Sequence, residues 1–200
     1  MSSKLDFLFF VAQKREATLL LKGLRAKHPW YYEGIMDGKT LGVWITGVGK
    51  RSVRRSLKSF ESAGICAEHY LNIGFAGALK DYRRGTIFPV GSLVGENGKA
   101  QIILDDENPF ELVSVNSLQF KEVLRSQYPN ADLVDMEAYT LAKYLPNHRF
   151  EVYKMVLDSF SCSPGNLGFQ LCLPWIIFRL RRRWFRWLKK HLQKPSTKPF

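Results

Sequence analysis

Ala131-Asp-Leu-Val-Asp-Met-Glu-Ala138 is the stretch around which this chain is organised. Leu133-Val134 reads as the end of a short buried strand, and Ala138 to Leu145 as the helix that follows. Met136 and Glu137 then fall where a strand hands over to a helix, the place where α/β sheets gather ligand groups. An acid there can hydrogen-bond sugar hydroxyls, with the Met thioether as a soft floor beneath the ring. The plainer alternative is that Glu137 only offers negative charge to a helix N-terminus. Both readings stand on this stretch alone.

Downstream, Phe150 to Leu157 is an apolar strand with Lys154 inside it, ending in Asp158-Ser-Phe-Ser. A carboxylate at the mouth of a buried strand suits a general acid, because partial desolvation raises its pKa. A turn or capping role ahead of Pro164-Gly165 is the alternative. Leu171 to Leu192 is a basic amphipathic helix, with Leu173, Ile176, Ile177, Leu180, Trp184, Trp187 and Leu188 on one side. Arg179, Arg182, Arg183, Arg186, Lys189 and Lys190 share the other. An α/β sheet needs both faces covered, so the apolar side is expected to pack on it. The sharper alternative is weak contact with an anionic membrane surface or nucleic acid through this helix, 171–193.

Upstream, Asp6 to Ala12 is a buried strand, followed by Lys14 to Leu24 with apolar positions at helical spacing. Glu16 lies in the first turn of that expected helix, where it either compensates the dipole or faces the crevice at the sheet's carboxyl edge. Trp30 to Ile35 and Thr40 to Thr46 form a strand pair around Asp37-Gly38, a strong hairpin signal. Thr46-Gly-Val-Gly-Lys50 then leads into a helix from about Arg51 to Ser62. Its glycines let backbone N–H groups approach an anion, but the spacing is not that of a P-loop. Glu68 to Ile73 is a strand, and the small residues of Gly74-Phe-Ala-Gly-Ala-Leu79 after it mark close approach of backbone to a ligand or another segment. Strands follow at Ile87, with Pro89 on an edge, at Gln101–Leu104 and at Leu112–Val115, then a helix over Ser117–Ser126.

Two hundred residues suit a single domain, read here as 1–194 with a frayed tail at 195–200. Three cysteines without ligand spacing point to a reducing, cytoplasmic setting and to thiols used for packing. The short run Leu5–Ala12, interrupted by Asp6, reads as a first strand and not a leader. No run of about 18 apolar residues is present. Nine basic residues and no acidic one follow Asp158, so removing nine from the net +12 leaves +3 before it. The basicity belongs to the tail, which weakens a nucleic-acid role for the whole chain. His28, His69, His148 and His191 are scattered, and neither a Ser-His-Asp nor a zinc constellation emerges.

Four stretches in order resemble the nucleosidase branch of the nucleoside phosphorylase superfamily, which includes the methylthioadenosine/S-adenosylhomocysteine nucleosidases and the futalosine hydrolases. They are Ala12-Gln-Lys-Arg-Glu-Ala-Thr-Leu-Leu20, Thr46-Gly-Val-Gly-Lys50, Asn72-Ile-Gly-Phe-Ala-Gly-Ala-Leu79 with Gly85-Thr-Ile87, and Val134-Asp-Met-Glu-Ala138. The resemblance spans about Phe7 to Ser161. It implies a three-layer α/β/α fold with a twisted mixed central sheet, a homodimer, a purine nucleoside as substrate, and neither metal nor organic cofactor. It also implies that Glu16 orients and deprotonates the attacking water and that Asp158 protonates N7 of the leaving purine. Glu137 would hold the ribose hydroxyls, with Met136 against the sugar and Phe75, Ala76, Gly77 and Lys154 around the substrate.

Departures from the pattern bear on the substrate. Phe75 and Leu157 stand where the family commonly has Ser, and Lys154 where it has Arg. The segment between Val115 and Pro129 is short, leaving Leu118 or Phe120 as the residue that would stack on the base. These losses point away from a phosphate-using enzyme and from a standard methylthioadenosine nucleosidase. The Gly-Phe-Ala-Gly-Ala string is closer to the futalosine hydrolases of menaquinone synthesis, with a methylthioadenosine/S-adenosylhomocysteine nucleosidase as the alternative. A catalytically degenerate nucleosidase fold that binds through its basic helix is the reading from another class.

Overall fold

The computed structural model describes residues 4–96, 98, 100–116, 121–145, 150–158 and 167–193, with backbone alone over 167–175. Leu118, Phe120, His148, Pro164-Gly165 and the 195–200 tail, all invoked above, lie outside the described residues. The rest forms one mixed sheet of eleven strands covered by helices.

The hub of the sheet is β5 (Ala67–Ala78). One of its edges pairs in parallel with β11 (Phe150–Asp158). Its other edge is shared: β1 (Leu5–Val11) pairs in parallel as far as Asn72, and β10 (Leu133–Asp135) takes over, antiparallel, at Gly77. Between those partners, Ile73 to Ala76 present an edge that neither strand occupies, because the chain directions diverge there. Such a divergence is where an α/β sheet opens a crevice.

Outward from β1 come β4 (Lys39–Ile45), β3 (Tyr31–Met36) and β2 (Arg25–His28). The β3–β4 turn has Asp37 at φ 50° and Gly38 at φ 78°, the left-handed pair that a two-residue hairpin requires. Beyond β10 lie β9 (Glu111–Ser114), β7 (Ser92–Gly95) and β8 (Gln101–Ile103). The short β6 (Ile87–Pro89) pairs only with β11, an edge position that tolerates Pro89.

Period-two alternation in β1 divides the core between two faces. Leu8 and Phe10 face α2 (Lys50–Ala63) and α4 (Ala138–Tyr144), packing with Val53, Leu57, Phe60 and Leu141. Phe9 and Val11 face α1 (Thr18–Leu21) and α5 (Leu167–Leu192), packing with Leu20, Trp184 and Leu188. The third cluster places Leu124, from α3 (Lys121–Gln127), over Val94, Val113 and Val115. The expected three-layer α/β/α arrangement is therefore present.

Several local expectations need correction. The helix expected over Lys14–Leu24 shrinks to α1, because i→i−3 turns at Gln13 and Lys14 replace its first turn. Glu16 thus sits in a turn before the helix and not within it. The small-residue run after Ile73 is no loop but the second half of β5. The last helix begins at Leu167, ahead of the expected Leu171. Trp184, Leu188 and Leu192 are buried in it, and Trp187 stacks on Trp184 at 4.9 Å and packs on Tyr153. The apolar side of the helix from Leu180 to Leu192 is therefore packed on the sheet and is not free to enter a bilayer. No helix among the described residues is long and apolar enough to cross a membrane.

Candidate active site

A cavity of about 530 Å³ opens against the stretch of β5 that is paired on one edge only, within the range of roughly 300–1,000 Å³ common for small-molecule sites. Glu16, Phe75, Ala76, Gly77, Met136, Glu137, Lys154 and Asp158 all line it, so every expected site residue converges there. Five of the six buried charged residues among those described, namely Lys121, Asp135, Glu137, Lys154 and Asp158, are also in its wall. Buried charge is costly unless paired. Its concentration here makes this cavity the candidate functional site.

Glu16 enters from the turn after β1 and lies against the backbone of β5. Its Oε2 stands 2.6 Å from where a Cβ on Gly74 would be, and the Phe75 N–H donates to its carboxylate. Only glycine at position 74 leaves room for this approach. Burial pushes Glu16 from 4.5 up to about 7, with Glu137 adding to the rise, while Lys154, Phe75 and Arg15 oppose it. A carboxyl poised near neutrality is suited to taking a proton from water. Gly74→Ala tests the fit. The far end of a flexible side chain can yield, so the variant is expected to keep its stability. Its activity is expected to fall about 10²-fold, as about 1 Å of misplacement can cause. Unchanged turnover would show that the approach is incidental.

Glu137 is released from helix capping by its neighbour. Asp135, the last residue of β10, accepts the N–H groups of Glu137 at 3.3 Å and Ala138 at 3.0 Å, and the Ser114 hydroxyl at 2.5 Å. Glu137 is N-cap by position but makes no capping bond with its side chain. It turns instead to the Gly49 N–H, which donates to its Oε1 at 2.7 Å. Gly49 has φ +82°, with the Met136 methyl 3.5 Å from its notional Cβ. The anion that the Thr46–Lys50 loop receives is thus a carboxylate of the chain itself. Burial and the Asp135 charge push Glu137 up; Lys154 and the Gly49 and Met136 N–H groups pull against that.

Lys154 lies 2.8 Å from Asp135 with both side chains almost wholly buried, and its charge also reaches Glu16 and Glu137. It is expected above to contact substrate. The geometry shows it first as the cation that keeps three acids in one small volume.

Asp158 reaches the cavity through an irregularity in β11. The β5–β11 register shifts between Val156 and Asp158, so Asp158 faces Gly77, its Oδ1 3.2 Å from where a Cβ there would be. Bulges of this kind re-aim strand ends beside sites. Lys121 meets Asp158 Oδ2 at 2.8 Å, and both side chains are buried. Burial raises Asp158 above its ordinary range; Lys121 is the main opposing influence and Arg84 a weaker one.

Asp135 and Lys121 are the two members that sequence reasoning missed. For Asp135 a signal existed: an Asp at a strand end readily accepts backbone N–H groups two or three residues on, as in an Asx-turn. For Lys121 none did, since it lay inside an expected surface helix. Among the described residues, no cluster of His, Cys, Asp or Glu could hold a metal ion.

Neither a family model nor a curated protein sequence matches the chain. Solved structures do. The 5′-methylthioadenosine/S-adenosylhomocysteine nucleosidase (MTAN) from Neisseria meningitidis, in complex with methylthio-immucillin-A, superposes with a TM-score of 0.68 at 18% identity, covering 90% of this chain and 96% of that one. A mutant MTAN from Helicobacter pylori with 5′-methylthioadenosine in its active site gives 0.72 at 16% identity, covering 94% and 100%. A mutant futalosine hydrolase of Helicobacter pylori gives 0.70 at 16%, covering 92% and 98%. These likenesses show the fold, which is that of the nucleoside phosphorylases and nucleosidases.

Proposed function

We propose that the chain is a purine nucleoside N-ribosyl hydrolase. The observation that carries this reading is the meeting of Glu16, Glu137 and Asp158 in one cavity on a fold shared with enzymes of that class. Cleaving an N-ribosidic bond builds oxocarbenium character on the sugar and negative charge on the base. Glu16 serves the water side. Glu137, with Met136 beside it, holds ribose hydroxyls, and Asp158 serves the base side. Glu16 lies against Gly74 and Asp158 against Gly77, three residues further along β5, which supports separate water and base ends.

Within that class, the substrate favoured by the Gly74-Phe-Ala-Gly-Ala78 string is a 5′-modified nucleoside of the futalosine or aminodeoxyfutalosine type. A methylthioadenosine/S-adenosylhomocysteine substrate is the rival, because both kinds of enzyme share the fold. Free-base release is to be measured from futalosine, aminodeoxyfutalosine, methylthioadenosine, S-adenosylhomocysteine and inosine, with and without phosphate, beside Asp158→Asn. Phosphate-independent release that falls about 10²-fold or more in the variant is the expected result. No release from any of them by a folded protein would overturn the proposal. The homodimer implied by the family resemblance is tested separately by light scattering, where a single-chain mass would exclude it.

A further inference from the structure

The proposed reaction leaves a buried cation of the cavity without a role. Lys121 opens α3, is 5% exposed, and places its Nζ 2.8 Å from Asp158 Oδ2 and 3.4 Å from the Asp158 carbonyl oxygen. As architecture the pair is hard to justify. Taking an ammonium and a carboxylate out of water costs several kcal/mol per ion, and well-packed apolar residues are often as stable or more so. Both side chains border the cavity, whose wall also includes the apolar Leu124, Leu157 and Ile177. Lys154 balances Asp135, Glu16 and Glu137 elsewhere in the site.

We propose that Lys121 and Asp158 act as a single acid on the base side, with Lys121 as the proton reservoir. This inference rests on the hydrolase reading above and assigns the proton source within it. A buried lysine–carboxylate pair is neutral whether the shared proton sits on nitrogen or on oxygen. Loss of water narrows the gap between the two forms, because it penalises the charge-separated one. Water adds through its oxygen to C1′ and gives a proton to Glu16. The C1′–N9 bond breaks with its electron pair on the purine, which takes a proton at N7 from the Asp158 carboxyl. Lys121 has supplied that proton and is left as the amine beside the carboxylate. Solvent restores it once the base departs, and Glu16 releases the proton it took. Asp158 then needs no proton from bulk water while substrate fills the pocket.

The experiment compares two leaving groups in three proteins. A purine nucleoside cleaved by the wild type needs a proton on its base. A 4-nitrophenyl riboside, whose leaving group is a stable anion, does not. Lys121→Met removes charge and proton together. Lys121→Arg keeps the charge but not the proton, since a guanidinium does not give one up at ordinary pH. The expected result is a loss of about 10²-fold or more in kcat/KM on the purine nucleoside in both variants, the usual weight of a positioned acid. The nitrophenyl riboside is expected to lose far less than the purine nucleoside in both variants. Purine activity left in Lys121→Met should fall as pH rises, because Asp158 must then be protonated from solvent, although loss of the opposing lysine raises its carboxyl further. Equal losses on both substrates, or full purine activity in Lys121→Arg, would overturn the inference and leave the hydrolase reading intact. A wild type inert on every nucleoside would overturn the hydrolase reading and this inference with it.

Discussion

Glu16→Gln is expected to lower base release by about 10³-fold with every leaving group, including those that need no protonation. The argument is geometric before it is electrostatic. The carboxylate is threaded against Gly74 and tied by the Phe75 N–H, and no other acid of the cavity approaches β5 at that point. An amide fits the same space and keeps an acceptor for Phe75 but cannot take a proton from water. In the wild type, kcat/KM should rise with pH through about 7, as the Glu16 carboxyl ionises, and that limb should vanish in the variant. Stability should move the other way. A pKa raised from 4.5 to about 7 means that the folded state binds a proton which the unfolded state has released across that window. Stability contributed by protonated Glu16 is therefore lost as pH rises from 4.5 to about 7. Glu16→Gln should melt above the wild type at pH 8 and approach it near pH 4. A variant that keeps its activity, or melts lower at pH 8, would remove Glu16 from its role.

Asp135→Ala is expected to be the most destabilising single change in the site. It removes the 2.8 Å ion pair with Lys154, the two N–H acceptors at the start of α4 and the partner of the Ser114 hydroxyl. Breaking a buried pair by removing one member costs about 3–5 kcal/mol, because the other charge is left uncompensated. For a chain of this size that lowers Tm by roughly 10 °C or more. Lys154 retains Glu16 and Glu137 nearby, so its charge should fall more heavily on them. The acid limb of the pH profile in Asp135→Ala should accordingly move below about 7. Lys154→Met should have the opposite effect on that limb and raise it. Thermal melts and pH profiles on the two single variants and the double variant separate these effects. A double variant no less stable than Asp135→Ala would locate the cost in the orphaned lysine. Additive losses would locate it in capping and packing.

The order of elements was legible because their signals are local. Asp37-Gly38 needs two left-handed residues, and only a few residue types supply them cheaply. The alternation of Leu8, Phe9, Phe10 and Val11 between two cores belongs to any strand buried on both faces. Glu16, Glu137 and Asp158 could be picked out because each stands at or next to the carboxyl end of a strand, and the spacing of the four stretches resembled a known family. The same local logic misread Glu16 as helical. A turn and a helix differ there by a tether to Phe75, a residue far away in the chain. It also missed the continuation of β5, because a run of small residues reads as a loop until two neighbouring strands are seen to bury it.

By itself, then, the sequence determined which residue types sit at the strand ends, where the chain turns, and that most of the net positive charge follows Asp158. The tertiary structure alone decided how those acids are held. Asp135 caps α4 and frees Glu137 for Gly49; Lys154 joins acids from three separate segments; Lys121 reaches Asp158 across 37 positions of chain. Periodicity and propensity act over a few residues, whereas the cost of burying a charge depends on every group within several ångströms, whatever its place in the chain.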